Sequence, residues 1–198
     1  MPAVPILTTE RLVLRGWRDE DREPFGAMNA DPEVTRFLSK ALMREESDAL
    51  VDRIRNSWER RGWGLWAVER QSDGRFLGFT GLSWQTFEAP FNPSVEIGWR
   101  LERAAWGQGY ATEAARAALA FAFERLELDE VMSFTTVRNA ASRRVMEKIG
   151  LRHDPTADFE YPGLPSGHPN RPSVAYRITR NAWLAAADTG GSPASPAP

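Results

Sequence analysis

Cysteine is absent from this chain of 198 residues, so no disulfide and no thiolate nucleophile can enter its chemistry. Histidine is scarce: His153 and His168 are the only two, and their separation does not set two ligands on one helical face. Metal catalysis is therefore not expected, and no metal site is assigned. No apolar run approaches the roughly 20 residues that span a bilayer. Met1 to Thr9 lacks the basic and apolar pattern of a signal segment. A cytoplasmic protein with no membrane partner is expected. An excess of charge of one sign is also missing. Net charge is −2 with no basic tail, which argues against a nucleic-acid binder that works through a large positive field. No Gly-Lys-Ser/Thr run exists, which excludes a Walker phosphate loop.

What is present is ordinary in bulk: 42% hydrophobic and 26% charged residues, enough chain for one domain over residues 1–189 with a sizeable core. Gly190 to Pro198 reads as a small-residue and proline tail, expected to be disordered. Eight tryptophans are many for this length. They serve core packing, or some line a pocket for a flat or aliphatic ligand.

Hydrophobic periodicity predicts a first strand over Glu10 to Arg15, a helix over Asp19 to Asn29 and a helix start at Asp31-Pro32-Glu33. Glu45 to Arg61 reads as an amphipathic helix with Leu50, Ile54 and Trp58 at four-residue spacing. Strands follow over Leu65 to Arg70 and Phe76 to Trp84, joined by a Ser72-Asp73-Gly74-Arg75 hairpin signal. After a loop over Phe87 to Pro93, Val95, Ile97, Trp99 and Leu101 line one face of a further strand. A helix over Ala111 to Leu126 carries Ala111, Ala114, Ala115, Ala118, Leu119 and Ala122 on one stripe, small enough to approach a sheet closely. A strand over Glu130 to Val137, a helix over Asn139 to Ile149 closed by Gly150, and a strand over Ser173 to Thr179 complete the pattern. This order predicts an α/β (α+β) fold: a mixed, mostly antiparallel central sheet of about six to seven strands with helices on both faces.

The stretch Trp106-Gly107-Gln108-Gly109-Tyr110-Ala111-Thr112-Glu113 joins that central strand to the alanine-rich helix. The glycines allow a tight turn, and the first N–H groups of the helix have no internal partners. With the positive end of the helix dipole they make a site for a phosphate or pyrophosphate group. Taken alone, the glycine pair is more often a plain turn former. The dinucleotide fingerprint does not fit, because Tyr110 and Thr112 stand where its glycine spacing breaks.

Four segments in order resemble the GNAT superfamily of acyl-CoA-dependent N-acetyltransferases, closest to the Rim-type branch that includes ribosomal-protein N-acetyltransferases. They are Thr9-Glu10-Arg11-Leu12-Val13-Leu14-Arg15, Val95-Glu96-Ile97-Gly98-Trp99, the Gly107 to Glu113 loop, and Asn139-Ala140-Ala141-Ser142 leading to Glu147-Lys148-Ile149-Gly150-Leu151. The resemblance covers roughly Leu7 to Trp183. Gly109 and Ala111 match the superfamily loop, and Trp106 takes its Arg/Gln position.

The resemblance implies acetyl-CoA as cosubstrate and a primary amine as acceptor, either a small molecule or a peptide N-terminus. It implies that Trp106, Gly107, Gln108, Gly109, Tyr110, Ala111 and Thr112 hold the diphosphate, mainly through backbone N–H groups. The strand end Gly98, Trp99, Arg100 and Leu101 then pairs with the pantetheine arm as an added strand would. Splayed central strands and a bulge at Gly98 are expected there. Asn139 matches the pantetheine-bonding asparagine, and it is also a helix N-cap by position. Ser142 is placed near the sulfur, as a hydrogen-bond donor before an acid, because a thiol pKa of about 8.5 lets thiolate leave with little help. Its other reading is a hydroxyl bonded within its own first turn. Arg144 and Lys148, one helical turn apart, are candidates for the adenosine phosphates, or solvated surface charges. Glu96 is the candidate base that takes the amine proton; the rival reading is a buried pair with Arg100. Trp84, Phe91 and Tyr161 are placed at the acceptor. The long segment Asp154 to Arg171 is expected to cover the acceptor side or to form a homodimer contact. Two other function classes fit the same loop: a non-catalytic acyl-CoA-binding or sensor module, and a different nucleotide-binding α/β protein.

Overall fold

The computed structural model describes residues 4–188, so the tail expected at 190–198 lies outside the described residues. Leu7–Thr8 (β1) and Leu12–Arg15 (β2) pair as a short hairpin. The second strand starts later than expected because Glu10 and Arg11 turn the chain, with the Thr9 N–H donating to the Leu12 carbonyl at 2.9 Å. A single turn at Asp19–Asp21 leads into Arg22–Ala30 (α1). Asp31 caps Pro32–Thr35 (α2) by accepting the Glu33 N–H at 2.8 Å. Arg44–Arg61 (α3) buries Val51, Ile54 and Trp58 along one stripe. Leu65–Arg70 (β3), Phe76–Gln85 (β4) and Ser94–Leu101 (β5) then form an antiparallel meander.

From β5 the chain crosses over through Tyr110–Ala120 (α4), whose last turn widens into a π-type turn at Phe121–Arg125. It returns as Glu130–Thr136 (β6), parallel to β5. Ala140–Lys148 (α5), Arg152–His153 (β7), Phe159–Glu160 (β8), Pro172–Thr179 (β9) and Arg180–Asp188 (α6) follow. The sheet runs β1-β2-β3-β4-β5-β6-β9-β7, with β8 also on β9, and only the β5–β6 pair is parallel. A mixed, mostly antiparallel sheet is as the sequence predicts. The extra strands are β1, β7 and β8, two residues each, too short to carry an alternation. Helix α6 was not anticipated either.

Side-chain alternation divides the sheet. Phe79 and Arg100 are direct neighbours across β4 and β5, and α1 meets that face through Phe25 and Asn29. Ile97 and Leu101 point the other way, are buried, and lie on the face where α4 packs. Ala114, Ala115, Ala118 and Leu119 are fully buried there, as expected of a stripe that lets a helix approach a sheet.

One expectation fails in its mechanism. The β4–β5 ladder is unbroken from Ser94 to Leu101, so there is no bulge against β4 at Gly98. The strands open instead between β5 and β6, which share a single register pair, Glu96 with Met132. Beyond that pair the two parallel strands diverge, and β5 from Gly98 onward has no β6 register partner among the described residues.

Candidate active site

The loop after β5 owes its shape to two residues in the left-handed region, Gly107 at φ 75° and Gly109 at φ 84°. An added Cβ at Gly107 would touch nothing, so glycine is required there by conformation, not by space. Among the described residues the N–H groups of residues 107–112 meet no protein acceptor, and the first α4 bond that closes is Glu113 N–H to Gly109 at 3.0 Å. Unmet donors at the positive end of an eleven-residue helix fit a phosphate-bearing group. The loop is held from behind. Arg11 donates to the Gln108 carbonyl at 2.9 Å, lies over the Tyr110 ring, and is paired with Glu113 at 2.6 Å.

Backbone direction along β5 follows from one bond. Glu102 N–H donates to Leu77, and antiparallel pairs alternate, so the N–H and C=O groups of Trp99 and Leu101 turn toward the β6 gap. Arg100 and Gly98 bond toward β4 instead, so their backbone groups are not offered to the gap. The Leu101 carbonyl is already taken by the Trp106 indole N–H at 2.9 Å. Of the expected strand-end contacts, Trp99 is thus the residue with both backbone groups available.

A cleft of about 390 Å3 opens where β5 and β6 part. Its floor is Glu96, Gly98 and Arg100; its other walls come from β6, the start of α5, the α2–α3 connection and the 154–171 segment. Glu96 is its only lining carboxylate among the described residues. Burial pushes the Glu96 carboxyl up to about 7, against the pull of hydrogen bonds from Ser83 at 3.0 Å and Gln85 at 2.5 Å. Tyr161 lines the cleft as well, and burial together with the Glu96 charge raises its phenol above the ordinary value. The pairing of Glu96 with Arg100 weighed from the sequence does not form. Arg100 donates instead to the Asn29 amide oxygen at 2.6 Å and lies over the Phe79 ring.

Asn139 does cap α5, its amide oxygen accepting the Ser142 N–H at 3.2 Å. Its amide nitrogen donates to Thr135 at 3.1 Å and to the Ser142 hydroxyl oxygen at 3.0 Å. Asn139 is therefore largely committed to the protein, and any further contact must use the second lone pair of its oxygen. Ser142 accepts through its oxygen, so its hydroxyl proton remains free to donate, and the residue lines the cleft.

Four expected residues stand elsewhere. Trp84 does not line the cleft; it pairs across the ladder with Val95, on the face opposite Glu96, and sits under Arg61. Phe91 packs edge-on to Phe87 and tilted against Phe134, so it supports a cleft residue from behind. Arg144 and Lys148 are exposed, and neither lines the cleft. The 154–171 segment supplies Tyr161, Leu164 and Asn170 to the wall and is tied across by Asn170, which donates to the Arg36 carbonyl at 2.8 Å. The sequence reading missed Ser83, Gln85, Asn29 and the brace from Arg11. Ser83 and Gln85 had a signal: two polar residues on one face of a strand otherwise rich in apolar residues.

The family model for the acetyltransferase (GNAT) domain matches residues 11–152. The chain belongs to the GNAT acetyltransferase family. Among its relatives is the Aspergillus fumigatus FsC-acetyl coenzyme A-N(2)-transacetylase, 35% identical over 196 residues, covering 92% of this chain and 79% of that protein. YdaF of Bacillus subtilis, whose name proposes a ribosomal N-acetyltransferase, is 33% identical and covers 74% of this chain and 80% of its own. An Agrobacterium tumefaciens acetyltransferase structure superposes with a TM-score of 0.73 at 28% identity, over 90% of this chain and 96% of the other. Spermidine N-acetyltransferase from Vibrio cholerae, solved with CoA and spermine, has a TM-score of 0.70; at 16% identity it shares the fold. This GNAT protein is an acyl-CoA-dependent acetyltransferase, and no helix among its described residues is long and apolar enough to cross a membrane.

Proposed function

We propose that this GNAT acetyltransferase moves an acetyl group from acetyl-CoA to a primary amine, of a small molecule or a peptide N-terminus, by direct attack in a ternary complex. The observation that carries the reading is Glu96: a carboxylate held near neutrality, lining the cleft where β5 and β6 part. Two similar proteins agree with it in kind, the FsC-acetyl coenzyme A-N(2)-transacetylase and the spermidine N-acetyltransferase.

Acetyl-CoA supplies a thioester carbonyl to the amine nitrogen and a thiolate that leaves readily. The rest belongs to this chain. Backbone N–H groups of residues 107–112 hold the diphosphate. Trp99 offers its N–H and C=O to the pantetheine amides. Glu96 takes the proton that the ammonium must lose, and a pKa near 7 suits that task at neutral pH. Ser142 donates its free hydroxyl proton as a hydrogen bond to the departing sulfur.

Thiol release from acetyl-CoA over a panel of amines and peptide N-termini tests the reading. Release that depends on an amine and collapses in Glu96→Gln is expected. Tight CoA binding without release on any acceptor identifies a binding or sensor module instead. A melting temperature raised by ATP or NAD but not by CoA overturns the assignment of the loop.

A further inference from the structure

Arg100 is a partly buried cation on the cleft wall, without an acid. Among the described residues it forms no ion pair; its only hydrogen bond runs from Nη1 to the neutral Asn29 amide. Asn29 is itself fully buried and spends its nitrogen on Ser47 at 2.9 Å. The Phe79 ring supplies the only other stabilising contact, with its centroid 5.4 Å from the guanidinium carbon. Burial lowers the guanidinium to about 10, and no neighbouring carboxylate raises it back. The nearest cleft acid, Glu96, turns its Oε2 to Ser83 and Gln85 and forms no ion pair with Arg100, and the cleft lysine, Lys40, is paired with Glu46. A guanidinium that is partly desolvated and leaves most of its donors facing a cleft is set to receive an anion there.

Arg100 and Glu96 share one face of β5, four residues and roughly 13 Å apart at their Cα atoms. Gly98 lies between them with no side chain, and a Cβ there would come no closer than 3.8 Å to the Glu96 carboxylate. Leu42 and Leu164 line the cleft beside this strip. A proton acceptor, an open apolar middle and an unpaired cation therefore follow one another along the floor. Resting on the function proposed above, we propose that the acceptor amine carries a carboxylate several methylenes away, and that Arg100 binds that carboxylate through its free N–H donors while Glu96 serves the amine. The spacing fits an ω-amino acid or a side-chain amine better than an α-amino group beside its own carboxylate.

Matched acceptors test this directly with the full chain and acetyl-CoA: 4-aminobutanoate, 5-aminopentanoate and 6-aminohexanoate, each against the alkylamine of the same length. The carboxylate-bearing member of at least one pair is expected to have a kcat/KM about tenfold higher or more, mostly through KM. In Arg100→Met that ratio should fall to about twofold or less. In Arg100→Lys, which keeps the charge, part of the preference should return, and equal melting temperatures would separate this from misfolding. Turnover of both members with no preference, or a preference that survives in Arg100→Met, overturns the inference and leaves the acetyltransferase reading standing. A dependence on Arg100 seen with succinyl-CoA but not with the acceptor carboxylate also overturns it, by assigning the cation to the acyl chain. Turnover of no amine at all overturns both.

Discussion

Glu113, on the first turn of α4, is gripped by Arg11 from the β1–β2 turn. The guanidinium Nε and Nη2 reach one carboxylate oxygen at 2.7 and 2.6 Å, and the other oxygen accepts the Arg11 N–H at 2.8 Å and the Thr9 hydroxyl at 2.6 Å. Because Arg11 also holds the Gln108 carbonyl and covers Tyr110, the far N-terminal edge of the sheet sets the shape of the phosphate loop. Charge-assisted hydrogen bonds are stronger than those between neutral groups.

Arg11→Ala should accordingly raise KM for acetyl-CoA by about tenfold while kcat changes by less than about threefold. The pair is partly exposed, so the stability loss should stay near 1 kcal/mol. Steady-state kinetics and thermal melting check both halves; a fall in kcat with KM unchanged would place Arg11 elsewhere in the mechanism.

Glu96→Gln should lower kcat by about a hundredfold or more, the usual range for a general base. With a long-chain amine, kcat of the native enzyme should rise with pH through a limb near 7, and that limb should vanish in the variant.

The same group predicts a stability effect of defined sign. The folded pKa of Glu96 stands at about 7, above the ordinary 4.5, so the native state holds this proton more tightly than the unfolded chain. Its contribution is full below about 4.5 and is lost as pH rises through about 7. The melting temperature of Glu96→Gln should exceed that of the native protein at pH 8 and approach it at pH 5. Equal differences at both pH values would show that the carboxylate is well solvated.

Gly109→Ala places a side chain at φ 84°. The conformation costs about 1–2 kcal/mol, and relief of that strain would re-aim the loop N–H groups. A several-fold higher KM for acetyl-CoA, with a small drop in melting temperature, is expected from titration calorimetry and melting.

Ser142→Ala and Asn139→Ala should behave differently although the two residues touch. Losing the serine removes one donor to a good leaving group, so kcat should fall by less than about tenfold. Losing the asparagine removes the α5 cap, costing about 1 kcal/mol, and frees Thr135 and Ser142 to move. Its loss should therefore appear in melting temperature and in KM together.

Much of this protein is written in short-range pattern. Alternation marks the long strands β3, β4, β5, β6 and β9 to within a residue or two, and Asp31-Pro32 and Asn139 mark helix starts that the structure caps as expected. The Gly107 and Gly109 turn is legible because only glycine suits its backbone angles. Strand β1 and strands β7 and β8 were not legible, since two residues make no period.

What the chain by itself determined is local: element types, caps, the loop before α4, and the presence of a carboxylate on a strand face. Only the tertiary structure decided partners. It turned Trp84 away from the cleft, gave Glu96 to Ser83 and Gln85 instead of Arg100, and joined Arg11 to Glu113 across 102 positions. It also moved the opening from a bulge at Gly98 to the β5–β6 divergence. The reason is physical: backbone preferences act over a few residues, whereas register and packing set which side chains meet once distant segments share one sheet.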